Sequence, residues 1–375
     1  MEKGIDLINS VEQKIEKIRT RSLDVSFNEL LDMYENSELI IDPEYQRLFR
    51  WSEGRQSRFI ESLLLEMPVP PIFVIERSEG VYELIDGLQR ISSYLHFRGK
   101  HPLRVNENGS LHQLALTDCD IVEDLNGLKY EDLPKPLEIK LKRNFIRVEI
   151  LRKESDQRLR YYMFKRLNTG GEELSDQEIR NCTIRLLNDG FNKFIIEMSD
   201  NSDFKQCIAN ISEEKKEQRY DQELVLRYFA FKNYRDNYVH DVGDFITEYM
   251  EAVSDPDNSE VVFDYQGESS NFEKTFNILN NVLGENIFSG TNPKGTLVNR
   301  FLIYHYEAFS IGIQPYIEKI SPDDLNVINQ IKERFIEIKN DDEFKKITTG
   351  GGKNYSGPLK NRINFVSERV AELWK

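Results

Sequence analysis

The spacing of apolar and polar positions changes period several times along the chain, and those changes divide it into elements. Ile72-Phe73-Val74-Ile75 is the continuous apolar run of a buried strand; Val81 to Ile85 follows across Ser78-Glu79-Gly80, which predicts a hairpin. Upstream the period is helical: from Ser52, the residues Phe59, Ile60, Leu63 and Leu64 share one face until Met67-Pro68-Val69-Pro70-Pro71 stops the helix. The same reading predicts a helix over residues 5–20, a strand from Leu23 to Ser26 and a helix from Asn28 to Asn36. Later come a helix from Glu131 to Lys142, an alternating strand from Phe145 to Ile150 and a helix from Ser155 to Leu167. Between His101 and Asp132, Pro102, Asn108-Gly109 and Asn126-Gly127 predict short hairpins. Beyond Phe191 the helical period dominates, over Gln222 to Tyr234, Phe245 to Ala252, Phe272 to Val282, Leu297 to Phe309 and Pro322 to Ile338, with a polar flexible loop expected from Asp255 to Ser270. The pattern therefore predicts an α+β chain: a first domain over residues 1–185 and a mainly α-helical domain over 186–375.

The predicted strand ending at Ile85 runs into Asp86-Gly87 and then a helix carrying Gln89 and Arg90 in its first turn. Such a corner aims unpaired N–H groups and a helix dipole at whatever lies above it, which favours an anion. Arg90 adds a planar cation suited to phosphate, and Asp86 offers a carboxylate for proton transfer, a sugar hydroxyl or a metal. The plainer alternative is that Asp86 caps the helix and Arg90 pairs with a carboxylate. A second polar stretch precedes it: Asp42-Pro43, where proline disfavours both a central strand and regular helix entry, then Tyr45-Gln46-Arg47, Arg50 and Trp51.

Three ordered motifs now stand out: Asp42-Pro43-Glu44-Tyr45-Gln46-Arg47 with Trp51; Ile85-Asp86-Gly87-Leu88-Gln89-Arg90; and Met163 to Cys182, MFKRLNTGGEELSDQEIRNC. Together they resemble the N-terminal domain family of GmrSD-type restriction endonucleases over roughly residues 20–185. The resemblance implies a ParB/sulfiredoxin-like fold and a site made of Gln46, Arg47, Asp86, Gly87, Gln89, Arg90, Asn168 and Thr169. In it Gln46 and Arg47 approach the corner from the opposite strand, Gln89 orients water or a ligand oxygen, and Asp86 performs acid/base or charge-stabilising work. Leu88 stands where the family usually has glutamine. Around Asn168-Thr169-Gly170-Gly171, helix punctuation explains much, since Ser175 to Glu178 is a capping box.

The net charge of −15 argues against a protein that coats nucleic acid by bulk electrostatics. Ile139 to Arg166 departs from that balance, with ten basic residues against three acidic ones. This makes Lys140, Arg143, Arg147, Lys165 and Arg166, with Arg50, a candidate DNA phosphate track; the alternative is a solvated face paired with the acidic second half. Cys119, Cys182 and Cys207 lack metal or disulfide spacing and read as buried thiols, and the five histidines are scattered in sequence, so no metal site is expected. Thr348 to Lys353 lacks the spacing of a phosphate-binding loop. No run is apolar enough for a membrane span and residues 1–17 lack a signal peptide's centre, so the expected compartment is the cytoplasm.

Three functions fit. The first is an antiphage enzyme that hydrolyses a phosphodiester or N-glycosidic bond in DNA, modified phage DNA with glucosylated bases being the implied target. The second is an NTP-binding switch, with Mg²⁺ and an NTP as candidate cofactors and a separate nuclease chain as partner. The third is a non-catalytic sensor of modified DNA. The His-Asn-His nuclease domain of the two-part enzymes has no counterpart in these residues.

Overall fold

The computed structural model describes residues 12, 19–105, 109–168, 175–239 and 241–374. The helix expected over residues 5–20 lies outside them, apart from Glu12 and the last two residues, where Thr20 already begins a strand. Contacts divide the chain into units 1–172 and 173–375. The division falls before the boundary expected at residue 185, so the helix begun by Ser175 packs in the second unit.

The first unit is built on a five-stranded sheet of β1 (Thr20–Ser26), β2 (Leu39–Ile40), β3 (Ile72–Ser78), β4 (Val81–Asp86) and β5 (Phe145–Leu151), in the spatial order β1-β5-β3-β4-β2. β1 and β5 are antiparallel over their full length, β5 and β3 are parallel, and β3 and β4 form the expected hairpin. The two residues of β2 pair parallel to β4. Helices α1 (Phe27–Glu35), α2 (Pro43–Gln46), α3 (Glu53–Leu64), α4 (Leu88–Phe97), α5 (Lys135–Arg143) and α6 (Gln157–Asn168) accompany it. Their starts follow local chemistry: the Ser26 and Ser52 side chains accept from the Glu29 and Arg55 N–H groups and cap α1 and α3. One expectation fails at Pro43. Far from barring a helix, it is the first residue of α2, where its fixed φ is suitable and its missing N–H is no loss, and Asp42 Oδ1 accepts from Tyr45 N. The hairpins expected between 101 and 132 reduce to a single bridge, Val105 to Leu111, and two short turns.

The second unit contains α7 (Asp176–Ile184), α8 (Gly190–Ser199), α9 (Ser202–Cys207), α10 (Glu213–Glu217), α11 (Tyr220–Asn233), α12 (Val242–Ser254), α13 (Tyr265–Leu283), β6 (Ser289–Thr291), β7 (Leu297–Phe301), α14 (Ile303–Gly312), α15 (Leu325–Asn340), α16 (Asp342–Thr348) and α17 (Ser356–Ala371). Two expectations are corrected here. Leu297 to Phe301 is a strand paired with β6, and the helix starts only at Ile303. The loop expected from Asp255 to Ser270 ends at Asp264, whose carboxylate accepts from Gly267 N and caps α13. The aromatic residues of these helices are core, as their shared faces predict: Tyr228, Phe229, Phe272 and Phe276 are fully buried and in mutual ring contact. Lys353 Nζ donates to the carbonyls of Lys346 and Thr349 at the end of α16, so the glycine stretch before it serves helix termination.

Through this core runs a chain of alternating buried charges. Arg180 Nη1 meets Glu223 at 3.3 Å, Glu223 meets Arg227 at 3.2 Å, Arg227 meets Glu307 at 2.8 Å, and Glu307 meets Arg362 at 2.6 Å. Glu307 and Arg362 have no solvent exposure. Burial works against the charge of Arg227, but Glu307 and its other neighbours outweigh it and hold its pKa above the ordinary value. The three cysteines are buried and form no disulfide among the described residues. No helix among the described residues is long and apolar enough to cross a membrane.

Candidate functional site

The corner forms as the sequence dictates. β4 ends at Asp86, and Gly87 occupies the cap of α4 with φ +105° and ψ 11°, a conformation that only glycine adopts without strain. Tyr45 on α2 donates its hydroxyl to Ile85 O at 3.1 Å, which ties the first motif to the strand end of the second. Gln46 is buried beside it, its Nε2 3.3 Å from Tyr34 Oη, while Arg47 and Arg50 are exposed. Gln46 and Arg47 thus belong to a single-turn helix and the residue after it, not to a strand opposite the corner, and it is Tyr45 that touches the strand end.

Arg90 and Gln89 have roles different from those expected. Arg90 Nη2 donates to Asp86 Oδ2 at 2.7 Å, and Nη1 to the carbonyls of Pro70 and Pro71 at 2.6 and 2.9 Å. Its fork is therefore occupied within the fold; the plainer alternative, pairing with a carboxylate, is the one found. Asp86 remains 30% exposed at its side chain, enough to meet a ligand. Gln89 does not face a ligand: Oε1 accepts from the N–H groups of Arg50 and Trp51, both at 3.1 Å, and Nε2 donates to Leu48 O at 2.7 Å. It is a positioning residue that clamps the 48–51 segment onto α4. Leu88, the first residue of α4, is buried and contributes to packing. Asn168 ends α6, and Thr169 lies outside the described residues.

From Ser175 onward the third motif serves packing. Ser175 and Glu178 form the expected capping box, and Arg180 is buried, bonded to Gln177, Thr247 and the Gly243 carbonyl as well as Glu223.

A groove of about 810 Å³ opens along the loop that holds Arg90. Pro68, Val69 and Pro71 form one wall, Lys140, Arg143 and Arg147 line it with Asp24 and Glu66, which pair with Arg147 and Lys140, and Phe145, 63% exposed, projects there. The basic stretch is otherwise not one track. Arg147 is forked to Asp24 at 3.0 and 3.2 Å, Lys142 bonds Glu138 at 2.7 Å, Arg152 bonds Glu76 at 2.7 Å, and Lys165 and Arg166 sit apart on α6. These partners all belong to the first unit, not to the acidic second half. Arg143 is exposed and has no ion-pair partner among the described residues.

Histidines scattered in sequence converge in the fold. His96 Nε2 lies 2.9 Å from His112 Nδ1, His96 Nδ1 lies 2.8 Å from Gln56 Oε1, and the His101 ring stacks on Phe49 at 4.9 Å. The missed signal is that His96 lies seven residues after Gln89, on the same face of α4 that meets the start of α3. Burial, with the Arg104 charge next, pushes His96 down to about 3 and His101 down to about 4. Both are neutral in the folded protein at pH 5 but charge with a pKa of about 6.5 once unfolded, so the unfolded state binds the extra protons and stability falls as pH drops below that value. Thermal and urea unfolding of the chelator-treated protein is expected to show this loss, approaching about 2.7 kcal/mol per pH unit near pH 5 from these two groups. His101→Phe is expected to halve that slope; an unchanged slope in the variant would count against the assignment.

Fold and site together define an α+β protein whose first unit sets an ion-paired strand end and helix start beside a groove of mixed charge in which Arg143 has no ion-pair partner among the described residues. Residues 27–185 match the family model described as GmrSD restriction endonuclease, N-terminal domain. The match runs from the first residue of α1 through α7. No curated protein and no solved structure matches the chain.

Proposed function

We propose that the protein is a restriction-type antiphage defence protein that acts on DNA, with modified phage DNA bearing glucosylated bases as its target, and that it hydrolyses a phosphodiester or N-glycosidic bond at Asp86 in a ParB-like site. One observation carries this reading: Pro71, whose carbonyl helps hold Arg90 against Asp86, is also in the wall of the groove lined by Lys140, Arg143, Arg147 and Phe145, with Asp24 and Glu66 beside them. A strand lying there meets cations for its phosphates and an aromatic ring for a base, next to a partly exposed carboxylate. A flipped nucleotide reaching the corner would bring its sugar to Asp86, which stabilises positive charge on the ring or takes a proton from attacking water, while Arg90 fixes the carboxylate's orientation.

A second reading has its own support. Gly87 provides no side-chain cap, which leaves first-turn N–H groups of α4 for an anion, with Arg47 and Arg50 exposed nearby in the chain. In it the protein binds an NTP with Mg²⁺ and regulates a separate nuclease chain.

The test is incubation with unmodified and glucosylated phage DNA, with and without Mg²⁺ and NTPs, resolving products before and after alkali. Conversion of the modified DNA alone is expected; breaks seen only after alkali mean base removal, and direct breaks mean phosphodiester hydrolysis. Asp86→Asn is expected to slow conversion about 10²–10⁴-fold with the fold intact. Intact DNA with NTP turnover would support the second reading, and binding of modified DNA with neither reaction would indicate a sensor. Arg143→Ala should weaken DNA binding and lower the salt slope of log K by about 1.

A further inference from the structure

We propose that Glu53, His96 and His112 form a binding site for a divalent transition cation of the Zn²⁺ class. One carboxylate oxygen and two ring nitrogens lie within 4.8 Å of one another there, donated by the first residue of α3, the buried end of α4 and the segment after the Val105–Leu111 bridge.

The hydrogen bonds around His96 set the chemistry of the first donor. Gln56 Nε2 donates to Trp51 O at 2.6 Å, which turns its Oε1 toward His96 Nδ1 at 2.8 Å. Two oxygens cannot bond to each other, so the amide is not reversed, and His96 Nδ1 must carry the proton that Gln56 accepts. The lone pair of His96 therefore sits on Nε2 and points at His112. This is the arrangement of a metal-ligating imidazole, whose far nitrogen is held by an outer partner that fixes both tautomer and ring orientation. His96 is 1% exposed, so its ring is held in place, whereas His112 and Glu53 lie nearer solvent and can adjust.

The spacing suits the ion. Without metal, the 2.9 Å approach of the two ring nitrogens is a hydrogen bond, with the proton on His112 Nδ1. A tetrahedral ion at about 2.0–2.1 Å from each nitrogen needs them about 3.3 Å apart, so His112 retreats by a few tenths of an ångström and moves its proton to Nε2. Two imidazoles with one carboxylate favour Zn²⁺, Ni²⁺ or Cu²⁺ over the oxygen-loving Mg²⁺ and Ca²⁺, and three protein donors leave a fourth position for water. The nearby Arg104 guanidinium opposes a cation, which makes the Glu53 charge necessary. His101 is not one of the three residues whose ligand atoms lie within 4.8 Å of one another, and its Nδ1 accepts from Leu103 N at 3.3 Å.

The site has a structural consequence within the first unit. His96 lies roughly 10 Å along α4 from Gln89, at 1.5 Å per residue, and its partner Gln56 also holds Trp51. A bound ion fastens the 112 segment and the start of α3 to the helix that clamps the 48–51 loop.

The test uses the full chain with any polyhistidine tag removed, stripped with chelator and titrated with Zn²⁺ alone by calorimetry, with Mg²⁺ as the control ion. One Zn²⁺ per chain is expected with no Mg²⁺ heat, and Co²⁺ should give the visible absorption of a tetrahedral site. Glu53→Gln, at an exposed position that leaves the fold untouched, and His112→Ala should each weaken Zn²⁺ at least about 10-fold and abolish the Co²⁺ absorption. Absence of Zn²⁺ binding to the wild-type chain would overturn the proposal, as would equal Zn²⁺ affinity in both variants, which would mean binding elsewhere.

Discussion

Replacing Glu307 by leucine is expected to destabilise the second unit by about 3–5 kcal/mol, because it leaves the guanidinium groups of Arg227 and Arg362 in a dry core with one carboxylate fewer between them. Against a typical stability of about 5–15 kcal/mol, that is enough to leave the unit partly unfolded at 37 °C. Urea denaturation followed by circular dichroism measures it. The paired replacement Glu307→Leu with Arg362→Met is expected to recover most of the loss, since it removes the unmatched charge together with its partner and keeps apolar volume. Arg227 would still be neutralised by Glu223 at 3.2 Å. A loss below about 1 kcal/mol for the single variant would mean that water reaches the chain of charges.

Gly87→Ala is the second change with a large expected effect. A Cβ there would sit 2.3 Å from Ile72 Cγ2, on a side chain wholly inside the sheet's core, and the φ of +105° penalises any L side chain whatever the space. Strain of about 1–3 kcal/mol and overpacking of about 1–3 kcal/mol act together, so a loss on the order of 4 kcal/mol is expected by denaturant titration. Relief would come from shifting β4 against α4, the two elements that carry Asp86 and Arg90. Activity of the variant is therefore expected to fall even in the fraction that remains folded. A variant of unchanged stability would show that the corner relaxes into another turn.

What the sequence conveyed well is local chemistry. Ser52 and the Ser175 to Glu178 box cap helices because the groups involved are three residues apart, and Gly87 takes a positive φ because a strand must turn into a helix within one residue. What it did not convey depends on long-range partners. The Leu297 to Phe301 segment is a strand only because Ser289 to Thr291 lies beside it. The site was legible as a place but not as a set of roles. Its motif order locates the corner, whereas the facts that Arg90 is held by two proline carbonyls and Gln89 by three backbone groups around Leu48 to Trp51 come from contacts across about 20 and 40 positions. The histidines were missed for the same reason: sixteen residues separate His96 from His112, and forty separate His96 from Gln56.

The two fastenings at the corner differ in kind. The Asp86 to Arg90 pair is ionic, part exposed, and weakens as salt screens it. The Gln89 amide carries no charge and no titratable proton, so the loop it grips keeps its place at any ionic strength or acidity the fold survives. High salt thus weakens the pull between Asp86 and Arg90, while the carbonyls of Pro70 and Pro71 still hold the guanidinium in place. The corner is thus held by one fastening that answers to salt and by others that do not.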